Sequence, residues 1–170
     1  MSSDRQQAKQ PVSALLAGPY GHPFHPILVT VPIGAWFASL VFDLASHVVE
    51  DPAFLAEGAQ WLLAIGVLGA LVAATVGFLD LLGIATGTPA FRTGLIHMSL
   101  NVTVTIAFAV DFLWRRSIDD LTRPVPAGPL ALSVASVAAL GVSGYLGGKL
   151  AYHYGVRVAD EATQAAGFRH

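Results

Sequence analysis

The residues with chemistry to offer are histidines. The stretch GHPFHPILVTVPIG, Gly21 to Gly34, carries His22 and His25, each followed by a proline. His97 lies in FRTGLIHMSLN and His153 in GGKLAYHYGV. Neutral imidazole is a metal ligand and titrates near neutral pH. Two neutral imidazoles on different helices can supply both axial ligands of a b-type haem. Asn101 stands four residues after His97, on the same face of any helix that holds both, so it could contact the same ligand. Arg92 and Lys149 could neutralise the haem propionates. In a second form of the idea, His22, His25, His97 and His153, with Asp80, hold a divalent metal, since imidazole suits zinc, copper, iron and nickel. The chain has no cysteine, which removes disulfides, thiolate metal sites, cysteine-held iron–sulfur clusters and covalent c-type haem.

The elements that must position these groups are long and apolar. Charged residues make up 12% of the 170-residue chain and apolar residues 54%; the charged share of an ordinary soluble domain is about twice as large. Ile27–Phe42, Trp61–Leu79, Thr93–Val110 and Val125–Gly148 contain no Asp, Glu, Lys or Arg. A helix of roughly 20 apolar residues crosses a bilayer, and backbone groups in lipid must pair within their own segment. The expected fold is therefore all-α: an integral membrane four-helix bundle, up-down-up-down, with spans near 26–48, 59–83, 93–115 and 127–151. Together they form a membrane domain over 21–155, flanked by polar tails over 1–20 and 156–170. The polar start MSSDRQQAKQ does not read as a secretory signal, and the first apolar run reads as an insertion signal that stays. The links are short, so successive helices should pack antiparallel.

Threading four spans gathers the ionisable residues at two faces. The starts of spans one and three and the ends of spans two and four share one face, which receives His22, His25, Asp80, Arg92, His97, Lys149 and His153. The opposite face receives Asp43, His47, Asp111, Arg115 and Arg116. Ionisable groups at membrane depth are costly and default to functional hypotheses. Residues before proline favour extended geometry, so HPFHP reads as a stiff extended lead-in with His25 at the cap of a helix starting at Pro26. Pro32 should bend span one and free the carbonyl of Leu28.

A weak internal repeat suggests two related helical hairpins. TVGFLDLLG resembles VSGYLGGKL, placing Gly77 opposite Gly144, and VFDL resembles VDFL. Small residues at Gly69, Ala73 and Gly77, and at Gly144 and Gly148, read as close packing inside the bundle.

Each candidate also has a structural reading. His22 and His153 could be interface residues, and His25 and His97 could cap a neighbouring helix. Asp80 and Arg92 flank one loop and could close it as a salt bridge. Asp43–His47 and Asp111–Arg115 are acid-first i, i+4 pairs and read as local ion pairs.

With GHPFHPILVTVPIGAWFASLVFDL, FRTGLIHMSLN and VSGYLGGKLAYHYGV in view, the chain resembles the bacterial membrane proteins grouped as domain of unknown function 2231, over about Gly21–Val158. The resemblance implies a four-helix integral membrane protein of the bacterial inner membrane. It also implies a link to redox chemistry, because relatives of this kind include chains fused to a Rieske-type iron–sulfur domain. This chain lacks the cysteines for such a centre.

Three functions compete. The first is a haem- or metal-binding redox module that passes electrons to a membrane or redox protein partner. The second is a non-catalytic subunit or anchor with structural histidines, and the third, less favoured, is a transporter or channel. A two-haem wire is disfavoured, since only His47 serves the opposite face. No nucleophile constellation, phosphate loop or enzymatic acid pair stands out, and the net charge of −2 gives nucleic acid nothing to bind. The lipid bilayer is the expected environment, with both termini on the histidine-bearing, cytoplasmic side.

Overall fold

The computed structural model describes residues 6–13, 21, 23–118 and 123–168, and every regular element among them is helical. In chain order these are α1 (His25–Leu28), α2 (Thr30–Ser46), α3 (Ala53–Leu82), α4 (Pro89–Arg116), α5 (Ala127–Gly148), a π-helical turn (Lys149–His153) and α6 (Glu161–Ala166). Four segments are long and apolar enough to cross a membrane: span one, His25–Ser46; span two, Ala53–Leu82; span three, Pro89–Arg116; and span four, Ala127–His153. They form a four-helix bundle. Contacts are densest within each hairpin, one–two and three–four, and among neighbouring spans they are thinnest between one and four.

Local chemistry sets the helix ends. Span one breaks at Val29, between α1 and α2. Pro32 has no N–H to offer the Leu28 carbonyl four residues earlier, so the ladder is interrupted where expected. The expected extended lead-in is not kept at Phe24 and His25, and His22 lies outside the described residues. Phe24 is helical (φ −76°, ψ −30°) and caps a helix that already includes His25. The hydrogen bond of the His25 ring to span two, described below, outweighs the local preference of a pre-proline residue. Span three starts where the Thr88 hydroxyl accepts from the Phe91 N–H at 3.1 Å, with Pro89 in the first turn, both standard start signals. Span four ends in a wide turn, the Tyr154 N–H reaching the Lys149 carbonyl at 3.1 Å. The chain then reverses through Gly155 (φ 71°) and Arg157 (φ 58°).

That reversal carries the C-terminal segment onto the N-terminal one. The Arg157 N–H donates to the Ala8 carbonyl at 3.0 Å. Lys9 donates to the Ala159 carbonyl at 3.3 Å and lies 3.7 Å from Glu161. The two polar tails thus meet among the described residues.

The bundle centre is a compact cluster of Trp36, Leu63, Val104, Phe108 and Leu140. The Trp36 and Phe108 rings stack, centroids 4.3 Å apart and 18° from parallel. The Trp36 indole N–H points to the Leu63 carbonyl, and its ring fills the space a side chain on Gly66 would need. Large apolar side chains such as Phe37, Val41, Leu68, Ile106 and Val142 face outward, as lipid-facing positions should. Gly69, Ala73 and Gly77 do pack inside, against Val31 and Pro32, in the core, and against His25 respectively. Gly144 does not. Nothing lies within 4 Å of where its Cβ would be, and Gly147 makes the equivalent close contact, with His97.

Candidate functional site

The two hairpins repeat in their contacts. In the first, the His25 Nδ1–H donates to the Ala73 carbonyl across 48 residues, at 3.0 Å. In the second, the His97 Nδ1–H donates to the Ser143 carbonyl across 46 residues, at 2.9 Å, with the Ser143 hydroxyl 3.1 Å away. A glycine one turn further on lies against each ring. A Cβ on Gly77 would sit 2.8 Å from the His25 ring, and one on Gly147 would sit 3.1 Å from that of His97. Asp43 and Arg115 are 72 residues apart, the interval that also separates His25 from His97 and Trp36 from Phe108. The contacts thus follow a different register from the motif match, which had set Gly77 opposite Gly144.

At the histidine end, both rings are half-buried and each lies within electrostatic reach of the other. A carbonyl only accepts, so the short Nδ1 contacts put the proton on Nδ1 and, in a neutral ring, the lone pair on Nε2. On His97 the Asn101 amide nitrogen lies over the face of the ring, 3.1 Å from Nε2 and 3.4 Å from Nδ1, and donates to the His97 carbonyl at 2.9 Å, so it does not meet that lone pair. Asp80 pairs with Arg157 at 3.0 Å rather than with Arg92, and it also lies within electrostatic reach of His25. Arg157 was not among the expected partners, since it lies in the polar tail and Arg92 is nearer to Asp80 in sequence.

The other expected site residues stand further out. Arg92 is exposed. The Lys149 ammonium sits over the Tyr154 ring, 5.6 Å from its centroid. His153 is exposed and meets the edge of Tyr154 at 4.8 Å. His153 and Tyr154 line a cleft together with Lys9, Glu161 and Gln164. His22 lies outside the described residues. Among the described residues no three His, Asp or Glu side chains come together as a metal site; of the expected site residues, His97 and Asn101 are in direct contact.

The opposite end holds a network that was only half expected. Arg115 does pair with Asp111 one turn before it, Nε to Oδ1 at 3.0 Å. Asp43 does not turn to His47, which is exposed. Its two oxygens take both terminal nitrogens of Arg115, at 2.5 and 2.8 Å. Ser133 of span four accepts from Arg115 at 3.1 Å and donates to Asp111 at 2.7 Å. The carboxylates are fully buried and the guanidinium is 4% exposed. One arginine fork thus gathers spans one, three and four, a geometry lysine cannot supply. Nearby, the Ser46 hydroxyl accepts from the Val125 N–H at 3.2 Å, tying the third link to the end of span one.

Compared with known proteins, the chain is matched over residues 21–160 by the model of a family described as predicted membrane protein (DUF2231). No curated protein and no solved structure matches it.

Proposed function

Since this chain belongs to the DUF2231 family of predicted membrane proteins, we propose that it is a bilayer-embedded module whose histidine end holds a transition-metal centre. The carrying observation is that two imidazoles occupy equivalent places in two hairpins. Each is fixed through Nδ1 to a main-chain carbonyl of its partner helix. A ligating histidine commonly donates its other nitrogen to a carbonyl, which orients the ring and raises its basicity. His25 and His97 would be the ligands of a haem b iron or of a divalent ion. Asn101 and Ser143 would position His97, and Asp80 would act on the field at His25. Arg92, Lys149 and His153 are placed to meet the polar parts of such a group at the membrane surface, and His22 is three residues before His25. Haem or a redox-active metal would supply one-electron chemistry, and a partner docking at this face would receive the electron.

The setting proposed is the bacterial inner membrane, crossed four times, with both termini on the cytoplasmic side. The contacts of Lys9 and Ala8 with the C-terminal segment support a common side for the tails. The lysines and arginines favour the histidine end as the cytoplasmic one, because Arg115 is committed inside the bundle and does not count as a loop charge.

A second reading, a non-catalytic membrane subunit, draws on the Nδ1 contacts: each ring already ties its helix to a carbonyl of the neighbouring helix, so the rings could serve only to join helices. A pore through one chain is opposed by the Trp36–Phe108 stack, which fills the centre between the two polar ends. The optical spectrum and metal content of protein purified in mild detergent separate the readings. A Soret band supports haem, and bound metal without one supports the divalent form. Protein carrying neither supports the subunit reading and sinks the first.

A further inference from the structure

The end of span four and residues of both tails line a cleft of about 340 Å3, a size that small-molecule sites share. Its wall holds Tyr152, His153 and Tyr154 from the π-helical turn and the residue after it, Lys9 from the N-terminal segment, and Glu161 and Gln164 from α6. The Lys9 side chain is only 8% exposed. Its ammonium has three hydrogens to donate. Among the described residues one acceptor lies at hydrogen-bond distance, the Ala159 carbonyl at 3.3 Å. Glu161 stands at 3.7 Å, too far for a hydrogen bond. A buried ammonium short of acceptors is costly until something supplies them. The Gln164 amide nitrogen spends one hydrogen on the same carbonyl at 2.9 Å and has a second to give. A bare anion here would also meet two carboxylates, Glu161, which is 61% exposed, and Asp160, within electrostatic reach of Lys9. A ligand that carries a cation beside its anion satisfies both signs.

We propose that this cleft binds an ethanolamine phosphate group, its phosphate on the Lys9 ammonium and the Gln164 amide and its primary ammonium on the Glu161 carboxylate. The group reaches the cleft as the headgroup of a phospholipid or as the soluble ester. Its position suits the lipid. Span four ends at His153, so the cleft lies where that helix leaves the bilayer. Tyr152 beside it is 92% exposed, and tyrosine settles at headgroup level. A headgroup held there would tie both tails to the end of span four. The site stands whether or not the histidine pair binds a metal.

The test uses the full chain, stripped of lipid in mild detergent. It is titrated with phosphatidylethanolamine, phosphatidylcholine and phosphatidylglycerol of the same acyl chains, and with soluble O-phosphoethanolamine and phosphocholine. Native mass spectrometry counts what is bound. The wild type should take one ethanolamine ligand on the order of 10-fold more tightly than its choline or glycerol counterpart, the factor for one hydrogen bond between charged groups. Choline has no N–H to offer Glu161, and glycerol has no cation. Glu161→Gln should erase the preference over choline and bind the glycerol lipid at least as well as before. Lys9→Gln should weaken all of them. If Lys9 and Glu161 only hold the tails together, both variants lower binding of every ligand alike, and the proposal fails. A preference seen with the lipids alone assigns the headgroup, and one seen with the soluble esters assigns the free compound. A wild type without an ethanolamine preference in either form, or a preference that survives Glu161→Gln, would overturn the site.

Discussion

The two ends of this bundle are held by different kinds of bond. At the carboxylate end, charged side chains close on one another: Asp43, Asp111 and Arg115 with Ser133, all inside the protein. At the histidine end, side chains close on the main chain, each imidazole donating to a carbonyl of the neighbouring helix. Removing one member of a buried ionic network strands the others as uncompensated charge. Removing an imidazole strands only a carbonyl that its own helix also serves. The carboxylate end therefore has no group to spare, while the histidine end keeps at least one ligand-capable nitrogen uncommitted. On the proposed reading, the carboxylate end fixes the fold and the histidine end is where a ligand would be held.

The largest effect should come from Arg115. Arg115→Met leaves two buried carboxylates without their cation and should cost about 3–5 kcal/mol in unfolding measured by denaturant titration in mixed micelles. Replacing Asp43, Asp111 and Arg115 together by apolar residues of similar volume should recover most of that loss, as neutral replacement of a whole buried network often does. A single Arg115→Met that unfolds like the wild type would erase the contrast between the ends.

Next come the glycines beneath the rings. Gly77→Ala drives a methyl to 2.8 Å from the His25 ring and Gly147→Ala to 3.1 Å from that of His97. Overpacking typically costs about 1–3 kcal/mol, and the first should be the worse of the two. Reversed ranking in the same unfolding assay would mean that the rings move more freely than their contacts suggest.

The histidines themselves should matter little to stability. His25→Ala and His97→Ala each remove one interhelical hydrogen bond, worth roughly 0.6 kcal/mol and at most about 1.7 inside a membrane protein. Losses comparable with that of Arg115→Met would make the imidazoles structural members and favour the subunit reading.

The smallest effect lies in the tail that packs at the histidine end. The Thr163 N–H and hydroxyl donate to the exposed Asp160 carboxylate at the start of α6 and hold it below its ordinary value of 3.8. A depressed carboxylate stabilises its folded form above the unfolded value, and that help is lost as pH falls through the lower folded one. Amide exchange in α6, corrected for its intrinsic pH dependence, should therefore speed up only below about pH 4 and should not respond in Asp160→Ala.

Much of the architecture was legible because membrane depth demands uncharged helical runs, and four such runs can be counted. The placement of His25 and His97 at one end followed from that count alone. Other features depended on the third dimension. Asp43 and Arg115 each had a nearer partner in sequence, His47 and Asp111, and helical spacing cannot reveal that the arginine fork reaches across to span one. Ser133 looked like one small residue among many in span four. Arg157 was missed because the reversal at Gly155, which folds the tail back on Asp80, leaves only a single glycine as its trace. The repeat was visible, but its register was not: apolar helices match one another about as well one turn out of step. The ring contacts with Gly77 and Gly147 fix the register instead.

The claim that the histidine end binds a metal centre is tested most directly by the bound haem and metal per folded chain in four proteins: wild type, His25→Ala, His97→Ala and His47→Ala. The account predicts one bound group in the wild type and in His47→Ala, and none in either of the other two. Asp80→Asn, included in the same series, should weaken binding by roughly 10–100-fold without changing the stoichiometry at saturation. A wild-type protein that is folded, monodisperse and free of both haem and metal, or one whose bound group survives His25→Ala, would contradict the account.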